Sequence, residues 1–274
     1  SYMSAGGMWQ FIRSRGAEYG PRQDNWVDER FDPELATRAA ARHLRDLYHH
    51  FGDWYLAIAA YNCGPGNVEK AIEKTGYADV WELRGRGTLP LETSNYVPII
   101  LAMTIMSKNA ENYGIDDVVF EEAISYDTVD MNAMTSLTLV SDIVGRPVAE
   151  LRELNPALLR DMAPAGYRLH IPKGTVQAFA SGIDMVPAEK RDTWRVYRAA
   201  AGETMETLAV RHRVTAAALR VANPSLENEL ADGILVAVPS EVQRAAPRAT
   251  TARSSTARRK TGVSSRAARP AVRV

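Results

Sequence analysis

Apolar residues recur at helical spacing through residues 1–114, with little of the alternation that marks strands. The clearest run begins at Asp32-Pro33, a helix cap followed by a first-turn proline, and Gly52 ends it. A second segment, Leu89 to Gly114, has a cap at Thr93 or Ser94 and an apolar stretch from Ile99 to Met106 that we expect to be buried. Four or five helices predict a small all-α domain.

The residues 53–67, DWYLAIAAYNCGPGN, form the centre of this predicted domain. The opening aspartate can cap a helix, and the stretch from Trp54 to Ala60 is apolar all round, which predicts a buried helix. Tyr61 and Asn62 end that helix before Gly64-Pro65-Gly66 prevents its continuation. Such an end could form the floor of a pocket or a satisfied polar pair in the core, and the stretch alone leaves both open.

Near the start of the chain, Gly6-Gly7 precedes a Met-Trp-Gln-Phe cluster. A glycine pair lets the backbone approach a ligand or another helix closely. Gln10 lies between Trp9 and Phe11 and could point into a cleft or into solvent.

After Ile115 the apolar alternations become shorter, and a sequence repeat appears at an offset of 68 residues. Asn155-Pro156 aligns with Asn223-Pro224 in this repeat. Each copy reads as an extended stretch, two helices and a strand that closes on a proline. We therefore predict two small βααβ modules, at 122–173 and 192–240, joined by a linker at 174–191.

The zero net charge conceals an asymmetry. Ser240 to Val274 holds nine Lys and Arg against one acid, so it carries +8, and the rest of the chain, with 24 bases and 32 acids, carries −8. Because this tail has almost no large apolar residues, we predict that 241–274 is disordered. Its charge would attract a polyanion such as an anionic wall polymer, or it has no dedicated partner. No stacking platform or nucleic-acid motif accompanies it, so no specific nucleic-acid binding is predicted.

Composition also limits the chemistry. The single cysteine, Cys63, excludes an intrachain disulfide. His43, His49 and His50 lie on or beside one predicted helix, but no ligand set is complete around them, so we expect surface or packing roles and no metal site. The longest apolar run, Tyr96 to Met106, is too short to span a bilayer.

Four ordered motifs in residues 1–114 together resemble the soluble lytic transglycosylase (SLT) family. They are Gly7-Met8-Trp9-Gln10-Phe11, Asp28-Glu29-Arg30 with Asp32-Pro33, Ala60-Tyr61-Asn62 with Gly64-Pro65-Gly66, and Leu89-Pro90 with Glu92-Thr93 and Tyr96-Val97-Pro98. The resemblance implies a lysozyme-like all-α domain that needs no cofactor. It also implies cleavage of peptidoglycan between N-acetylmuramic acid and N-acetylglucosamine, which leaves a 1,6-anhydro end.

The resemblance also implies site residues. Those expected to bind substrate are Ser1, Met8, Gln10, Tyr61, Asn62 and Tyr96, with Glu92 supporting them. The family's catalytic glutamate belongs to a Glu-Ser motif that would fall before Ser1, so no catalytic residue is assigned here. Glu18, Glu29 and Glu34 do not stand in that context. We therefore expect residues 1–274 alone to be inactive.

The repeats resemble LysM modules, which bind glycans and carry Gly-Asp-Thr-Leu near the start and Asn-Pro in the middle. The second copy keeps these signatures in the residues expected to bind glycan, Gly202, Glu203, Thr204, Asn223 and Pro224. The first copy keeps Asn155-Pro156 but lacks the Gly-Asp-Thr signature, so it reads as degenerate and its binding is left open.

The predicted architecture is thus α + (α+β), a lysozyme-like all-α domain followed by two LysM-like modules and a disordered tail. The implied function is a peptidoglycan lytic transglycosylase whose partner is the glycan strand and whose location is the periplasm or cell envelope. One alternative is a non-catalytic peptidoglycan-binding or scaffolding protein. Another is a goose-lysozyme-like hydrolase, which would leave reducing ends in place of anhydro ends.

Overall fold

The computed structural model describes residues 4–119 and 121–240, and these ranges contain eleven α-helices and six short strands. Ser1 and the predicted disordered tail 241–274 lie outside the described residues.

The first domain is helical, as predicted. Its helices are α1 (Arg13–Tyr19), α2 (Pro33–Phe51), α3 (Trp54–Cys63), α4 (Pro65–Thr75), α5 (Val80–Gly85) and α6 (Leu91–Lys108), with 3-10 turns at Glu29–Phe31 and Ala110–Tyr113. The Asp32 carboxylate caps α2 by accepting the Leu35 N–H at 2.8 Å, and Gly52 ends the helix in the left-handed conformation. Asp53 caps α3 in the same way through the Leu56 N–H at 2.8 Å. Carboxylate caps of this kind satisfy N–H groups that have no partner within the helix.

The helix α3 lies at the centre of the domain, but it is not buried on all sides. Leu56 and Ala60 are buried, whereas Trp54 and Tyr55 are exposed. The Trp54 ring stacks on Tyr48 with ring centroids 4.5 Å apart. The expectation of complete burial is therefore wrong for the first turn of α3, where Trp54 stacks on Tyr48 at the surface and does not enter the core.

The second half of α6 is also more exposed than expected. Its buried residues are Thr93, Ser94 and Val97, and all three lie in its first half. The helix begins at Leu91, so Thr93 and Ser94 occupy its first turn and neither is the cap. The predicted burial of residues 99–106 is wrong, because α6 packs into the domain core through Val97 and, less completely, Leu101, whereas Ile99, Met103, Ile105 and Met106 are exposed.

The rest of the described chain forms two similar α+β modules. The first contains β1 (Tyr126–Asp130), β2 (Thr135–Ser136), α7 (Leu137–Val144), α8 (Val148–Leu154), β3 (Met162–Ala163) and β4 (Arg168–Pro172). The second contains β5 (Arg195–Arg198), α10 (Met205–His212), α11 (Ala216–Ala222) and β6 (Leu235–Val238). In each module the first and last strands pair antiparallel, with Thr128 opposite His170 in one and Val196 opposite Ala237 in the other.

The predicted linker at 174–191 is instead part of the first module. It forms α9 (Val176–Ile183) and a 3-10 turn at Ala188–Lys190. Phe179 and Ile183, four residues apart on one face of α9, are buried in the module core. At Gly182 the helix approaches Ile143 so closely that an added Cβ would lie 2.4 Å from its side chain. Because Phe179 and Ile183 lie on the same face of α9, the helix packs onto the module core and does not act as a linker.

The helical domain and the first module share a core. Val27, in the loop before α2, is fully buried among module residues that include Leu137 and Leu151. Around it the Asp28 N–H donates to the Ala157 carbonyl at 2.8 Å. A further bond joins the Leu159 N–H to the Trp26 carbonyl at 2.9 Å, so the two parts are joined by backbone hydrogen bonds as well as by apolar packing.

Candidate active-site cleft

A cleft of about 530 Å³ opens between the end of α3, the loop before α1 and the start of α6. The polar side chains that line it include Gln10, Arg15, Tyr61, Asn62, Glu92 and Thr93. Amides, a phenol, a hydroxyl and charged groups thus converge on one open depression.

Asn62 connects two walls of the cleft. It lies in the last turn of α3, which ends at Gly64 with φ of 87°. Its side-chain oxygen accepts the Thr93 hydroxyl at 2.6 Å, and its NH₂ donates to the Glu92 carboxylate at 3.1 Å. These two bonds fix which way the amide points. The carboxylate in turn lies in the first turn of α6, where the helix dipole favours a negative charge.

Tyr61 is a half-buried phenol in the wall of the cleft. Its O–H donates to the Trp9 carbonyl at 2.8 Å, and its ring meets the ring of His43 with centroids 5.3 Å apart. Burial, with a smaller contribution from the neighbouring Tyr96, raises the pKa of Tyr61 well above its ordinary value. The phenol therefore stays protonated across the physiological pH range and acts as a hydrogen-bond donor.

Gln10 reaches the cleft from a tight loop. Its backbone is in the left-handed region with φ of 50°, and its side-chain NH₂ donates to the Gly7 carbonyl at 2.7 Å. Gly7 also has a positive φ, of 71°, and an added Cβ there would lie 1.7 Å from the Arg30 carbonyl oxygen. Only glycine fits at such an approach, so the loop is pressed against the backbone at Arg30.

Arg30 holds this loop from below. Its buried guanidinium binds the Asp28 carboxylate at 2.9 and 2.6 Å and donates to the carbonyls of Ser4 and Phe11, each at 2.8 Å. Burial tends to raise the pKa of Asp28, but the hydrogen bonds from Arg30 outweigh it, so this pKa lies below its ordinary value. The pair is therefore charged, and it fixes the carbonyls at both ends of the loop that carries Gln10.

His43 lines the cleft, although the sequence predicted only a surface or packing role for it. It is buried on α2, its ring centroid lies 4.6 Å from that of Tyr19, and its Nδ1 has no hydrogen-bond partner among the described residues. Burial lowers its pKa, so the ring is neutral at pH 7. Its spacing from the buried Ala39 and Leu47 places all three on one helix face, and this periodicity was the available signal.

Cys63 is a further residue of the cleft that the predicted site did not include. Its thiol is half-buried and lies 3.7 Å from the Gly64 carbonyl, within reach of a weak hydrogen bond. Burial raises the pKa of this thiol, so it is protonated near neutral pH and is a wall group, not an activated nucleophile.

The remaining predicted residues of the first domain lie elsewhere. Met8 is on the same loop as Gln10 but is 70% exposed and does not line the cleft. Tyr96 lies one helical turn after Glu92, is half-buried and is not among the residues that line the cleft. Burial, and then the charge of Glu92, raise its pKa. Ser1 is outside the described ranges.

In the second module, Asn223 is committed to internal bonds. It is buried, its NH₂ donates to the carbonyls of Leu219 at 2.8 Å and Ala237 at 2.7 Å, and its oxygen accepts the Ala237 N–H at 2.8 Å. All of this pins the end of α11 to β6. The expectation that this amide contacts glycan is therefore corrected, because its donors and acceptor are occupied within the module.

Two more of the predicted glycan-binding residues also have internal roles. The buried Glu203 accepts the Ala200 N–H at 2.8 Å, a bond that contributes most to holding the pKa of its carboxylate below the ordinary value, and it pairs with Arg211. Thr204 caps α10 by accepting the Thr207 N–H at 3.3 Å. Gly202 and Pro224 are exposed and remain accessible to a ligand.

Within residues 4–119 and 121–240, no three His, Cys, Asp or Glu side chains are grouped to hold a metal ion. In the same ranges, no helix combines the length and apolar content needed to cross a membrane.

The helical domain that carries this cleft and the first α+β module each match a known family model. Residues 1–83 match the family model described as the transglycosylase SLT domain. Residues 125–188, which contain the first module, match the family model described as the LysM-like domain of lytic transglycosylase MltD. This second match includes α9, in agreement with its place in the core of the first module.

Curated relatives agree with these two matches. The chain is 31% identical, over 267 aligned positions, to the membrane-bound lytic murein transglycosylase D of Escherichia coli (strain K12). The protein of the same name from Escherichia coli O6:H1 (strain CFT073) matches equally well. Each alignment covers 89% of this chain and 57% of the relative, so the chain spans somewhat more than half the length of these relatives.

Proposed function

We propose that the cleft binds peptidoglycan glycan strands as part of a lytic transglycosylase. This enzyme would cleave between N-acetylmuramic acid and N-acetylglucosamine and leave 1,6-anhydromuramoyl ends. The observation that carries the proposal is the convergence of Gln10, Tyr61 and Asn62, all within the residues that match the SLT domain, with Glu92 on one open cleft.

The cleft chemistry suits an amino sugar polymer. N-acetyl and hydroxyl groups need both donors and acceptors, which the amides of Gln10 and Asn62 can supply. The Tyr61 O–H donates to the Trp9 carbonyl, so its oxygen adds a further acceptor. An open depression with polar walls accommodates a strand that enters and leaves on opposite sides.

The reaction needs one carboxyl group that acts twice. As an acid it protonates the glycosidic oxygen, and as a base it removes the proton from the muramoyl 6-hydroxyl as that oxygen closes on C1. We place this group in the family's Glu-Ser motif, before Ser1. Among the described residues of the cleft lining, Glu92 is the carboxylate, and its bond to Asn62 suits it to orienting that amide.

We assign wall attachment to the second LysM-like module, through the exposed edge at Gly202 and Pro224. The substrate places the protein in the periplasm or cell envelope, and the relatives' name describes a membrane-bound enzyme. The basic tail would add contact with anionic wall polymers.

The test is digestion of purified sacculi by a form of the protein that includes the Glu-Ser segment, with mass spectrometry of the soluble products. Anhydro-muropeptides are expected. Reducing muramic acid ends would indicate a hydrolase, and retention on sacculi without products would indicate a binding or scaffolding protein. Residues 1–274 alone are expected to bind sacculi without releasing products, and release would overturn the placement of the acid before Ser1.

A matched pair of variants tests the role of the cleft phenol. In the same extended form, Tyr61→Phe should lower turnover by more than it weakens glycan binding, because the lost O–H releases the Trp9 carbonyl and so loosens the loop on which Gln10 reaches the cleft. Tyr55→Phe removes the same hydroxyl from an exposed residue of α3 outside the cleft lining and should leave both quantities unchanged. Equal losses in turnover and binding for Tyr61→Phe would limit this residue to binding.

A further inference from the structure

We propose that Asp28 and Arg30 are a positioning pair that ties the loop carrying Gln10 to the first LysM-like module, so that this module braces the cleft and does not bind glycan by itself. The inference rests on the proposed function in one respect, that Gln10 contacts the substrate. It is carried by three connected sets of contacts.

The first set joins the module to the helical domain. Val27 is fully buried in the module core, and it forms a β-bridge with Leu158. The hydrogen bonds of Asp28 and Leu159 flank this bridge on either side. The module residues involved, 157–159, directly follow Asn155-Pro156. The segment 26–28 therefore pairs with the loop that follows the Asn-Pro signature.

The second set runs from Asp28 to Arg30. The carboxylate accepts from Nε and Nη2 of the guanidinium, and both side chains are about 95% buried. A planar guanidinium held at two points by a carboxylate has a fixed orientation. The backbone of Asp28 is bonded to the module while its side chain orients Arg30, so one residue transmits the position of the module.

The third set runs from Arg30 to the cleft. Its Nη1 donates to the carbonyls of Ser4 and Phe11, and the Gly6 N–H donates to the same Phe11 carbonyl at 3.0 Å. Gly7 lies against the Arg30 backbone, and Gln10 is bonded to Gly7. A shift of Arg30 therefore moves both ends of the loop on which Gln10 reaches the cleft.

A second loop of the first module is covered as well. The Ser136 N–H donates to the carbonyl of Arg191 at 2.9 Å, and the buried guanidinium of Arg191 donates to Asn132 at 2.6 Å. The corresponding positions in the second module, around Gly202 and Pro224, are exposed. In the first module these two loops are thus partly covered, by the helical domain at residues 157–159 and by Arg191 at Ser136, while Pro156 itself is exposed.

Hydrogen exchange measured by NMR on residues 1–274 tests the coupling. Val27→Ala leaves a cavity between module and domain, and Val68→Ala is the matched control, a fully buried valine in the core of the helical domain away from the module. Relative to the control, Val27→Ala should accelerate exchange about tenfold or more at the Asp28 and Leu159 amides and also at Gly6 and Gln10. Acceleration at Asp28 and Leu159 without acceleration at Gly6 and Gln10 would overturn the proposal.

A second variant separates positioning from general destabilisation. Asp28→Asn keeps the shape of the side chain and removes its charge, so Gly6 and Gln10 should exchange faster while Leu159 stays protected by its bond to Trp26. Unchanged exchange at Gly6 and Gln10 would contradict the role of the pair. If Val27→Ala does not fold, exchange at Gly6 and Gln10 in Asp28→Asn still tests the proposal in the same way.

Titration with chitotetraose distinguishes this inference from the proposed function. Perturbed resonances are expected at Gln10 and Tyr61 and around Gly202, and perturbation at 155–159 would overturn the assignment of the first module as a brace. Exchange coupling without any perturbation in the cleft would leave the brace standing and refute the proposed function. Perturbed resonances in the cleft without exchange coupling would support the proposed function and refute the first module's role as a brace.

Discussion

The two LysM-like modules have the same internal structure and different surroundings. Asn155 bonds to Leu151 and His170 as Asn223 bonds to Leu219 and Ala237, with corresponding distances that agree within about 0.1 Å. In the first module the loop after this asparagine pairs with the segment 26–28, whereas in the second module the corresponding loop is exposed.

The difference shows that the Asn-Pro signature reports the fold of a module and not its ligand. The same holds for the helix cap. Ser136 accepts the Thr138 N–H at 3.1 Å at the start of α7, in the place that Thr204 takes at the start of α10. The first module therefore keeps the cap although it lacks the Gly-Asp-Thr signature, and it differs from the second in that its residues 157–159 pair with the segment 26–28.

The largest expected effect comes from removing the two asparagines. Asn155→Ala and Asn223→Ala each leave buried backbone groups without partners, and each should cost about 3 kcal/mol or more of unfolding free energy in its own module. Because the first module shares a core with the helical domain, Asn155→Ala should also lower protection at Asp28, while Asn223→Ala should not. Denaturant unfolding measures the loss of stability, and hydrogen exchange measures protection at Asp28. An equal loss of protection at Asp28 in Asn155→Ala and Asn223→Ala would contradict the distinction between the modules.

Glycan binding should separate the modules next. Pro224→Glu introduces a charge at the exposed edge of the second module and should weaken binding to sacculi about tenfold, a loss of about 1.4 kcal/mol. Pro156→Glu makes the same change at the aligned, also exposed, proline of the first module and should leave binding unchanged. A co-sedimentation assay with residues 1–274 measures this, and equal losses for the two variants would mean that both modules bind.

Acid should lower the stability of the first module's contact with the helical domain, because that contact depends on the Asp28 carboxylate and the second module has no such partner among the described residues. Because the pKa of Asp28 is lowered in the folded protein, its contribution to stability is complete above its unfolded pKa of about 3.9 and is lost as the pH falls through the lower folded value. The stability gap between the wild type and Asp28→Asn should therefore narrow below about pH 4. Urea unfolding at pH 7, 5, 4 and 3 measures the gap, and a constant gap would contradict the charge pairing with Arg30.

The smallest effect is expected where the modules meet. Arg195 of β5 pairs with Asp142 of α7, with side chains 52% and 15% exposed. Since such a pair is largely screened, Arg195→Ala should cost no more than about 1 kcal/mol. Arg168→Ala removes a more exposed arginine, 3.6 Å from Asp130, and should cost close to nothing. Thermal unfolding of both variants measures these costs. A loss of stability well above about 1 kcal/mol for Arg195→Ala would show that the ion pair with Asp142 organises the interface between the modules.

Much of the fold was readable from local signals. The caps at Asp32 and Asp53 and the glycine at residue 52 set helix ends that the structure confirms, because each acts through its own backbone neighbours. The repeat was visible because both modules need the same buried positions. In the first domain, the ends of α3 and α6 each carried part of the cleft, and their approach depended on tertiary packing.

The failures share one physical cause, that burial depends on what packs against a residue. Trp26 and Val27 are an isolated apolar pair between polar residues, too short to show a period, so the sequence did not reveal that Val27 enters the core of the first module. The apolar second half of α6 looked buried and is exposed. Conversely, α9 looked like a linker because it is short and rich in small residues, although two large side chains anchor it.

The position of Cys63 has a practical consequence. As the single sulfhydryl of the chain, at the wall of the cleft, it can carry one fluorescent label without any engineering. Its raised pKa slows alkylation at neutral pH, so labelling should speed up as the solution becomes alkaline. A bound saccharide would shield the sulfur, and the rate of modification by a maleimide would then read out occupancy directly.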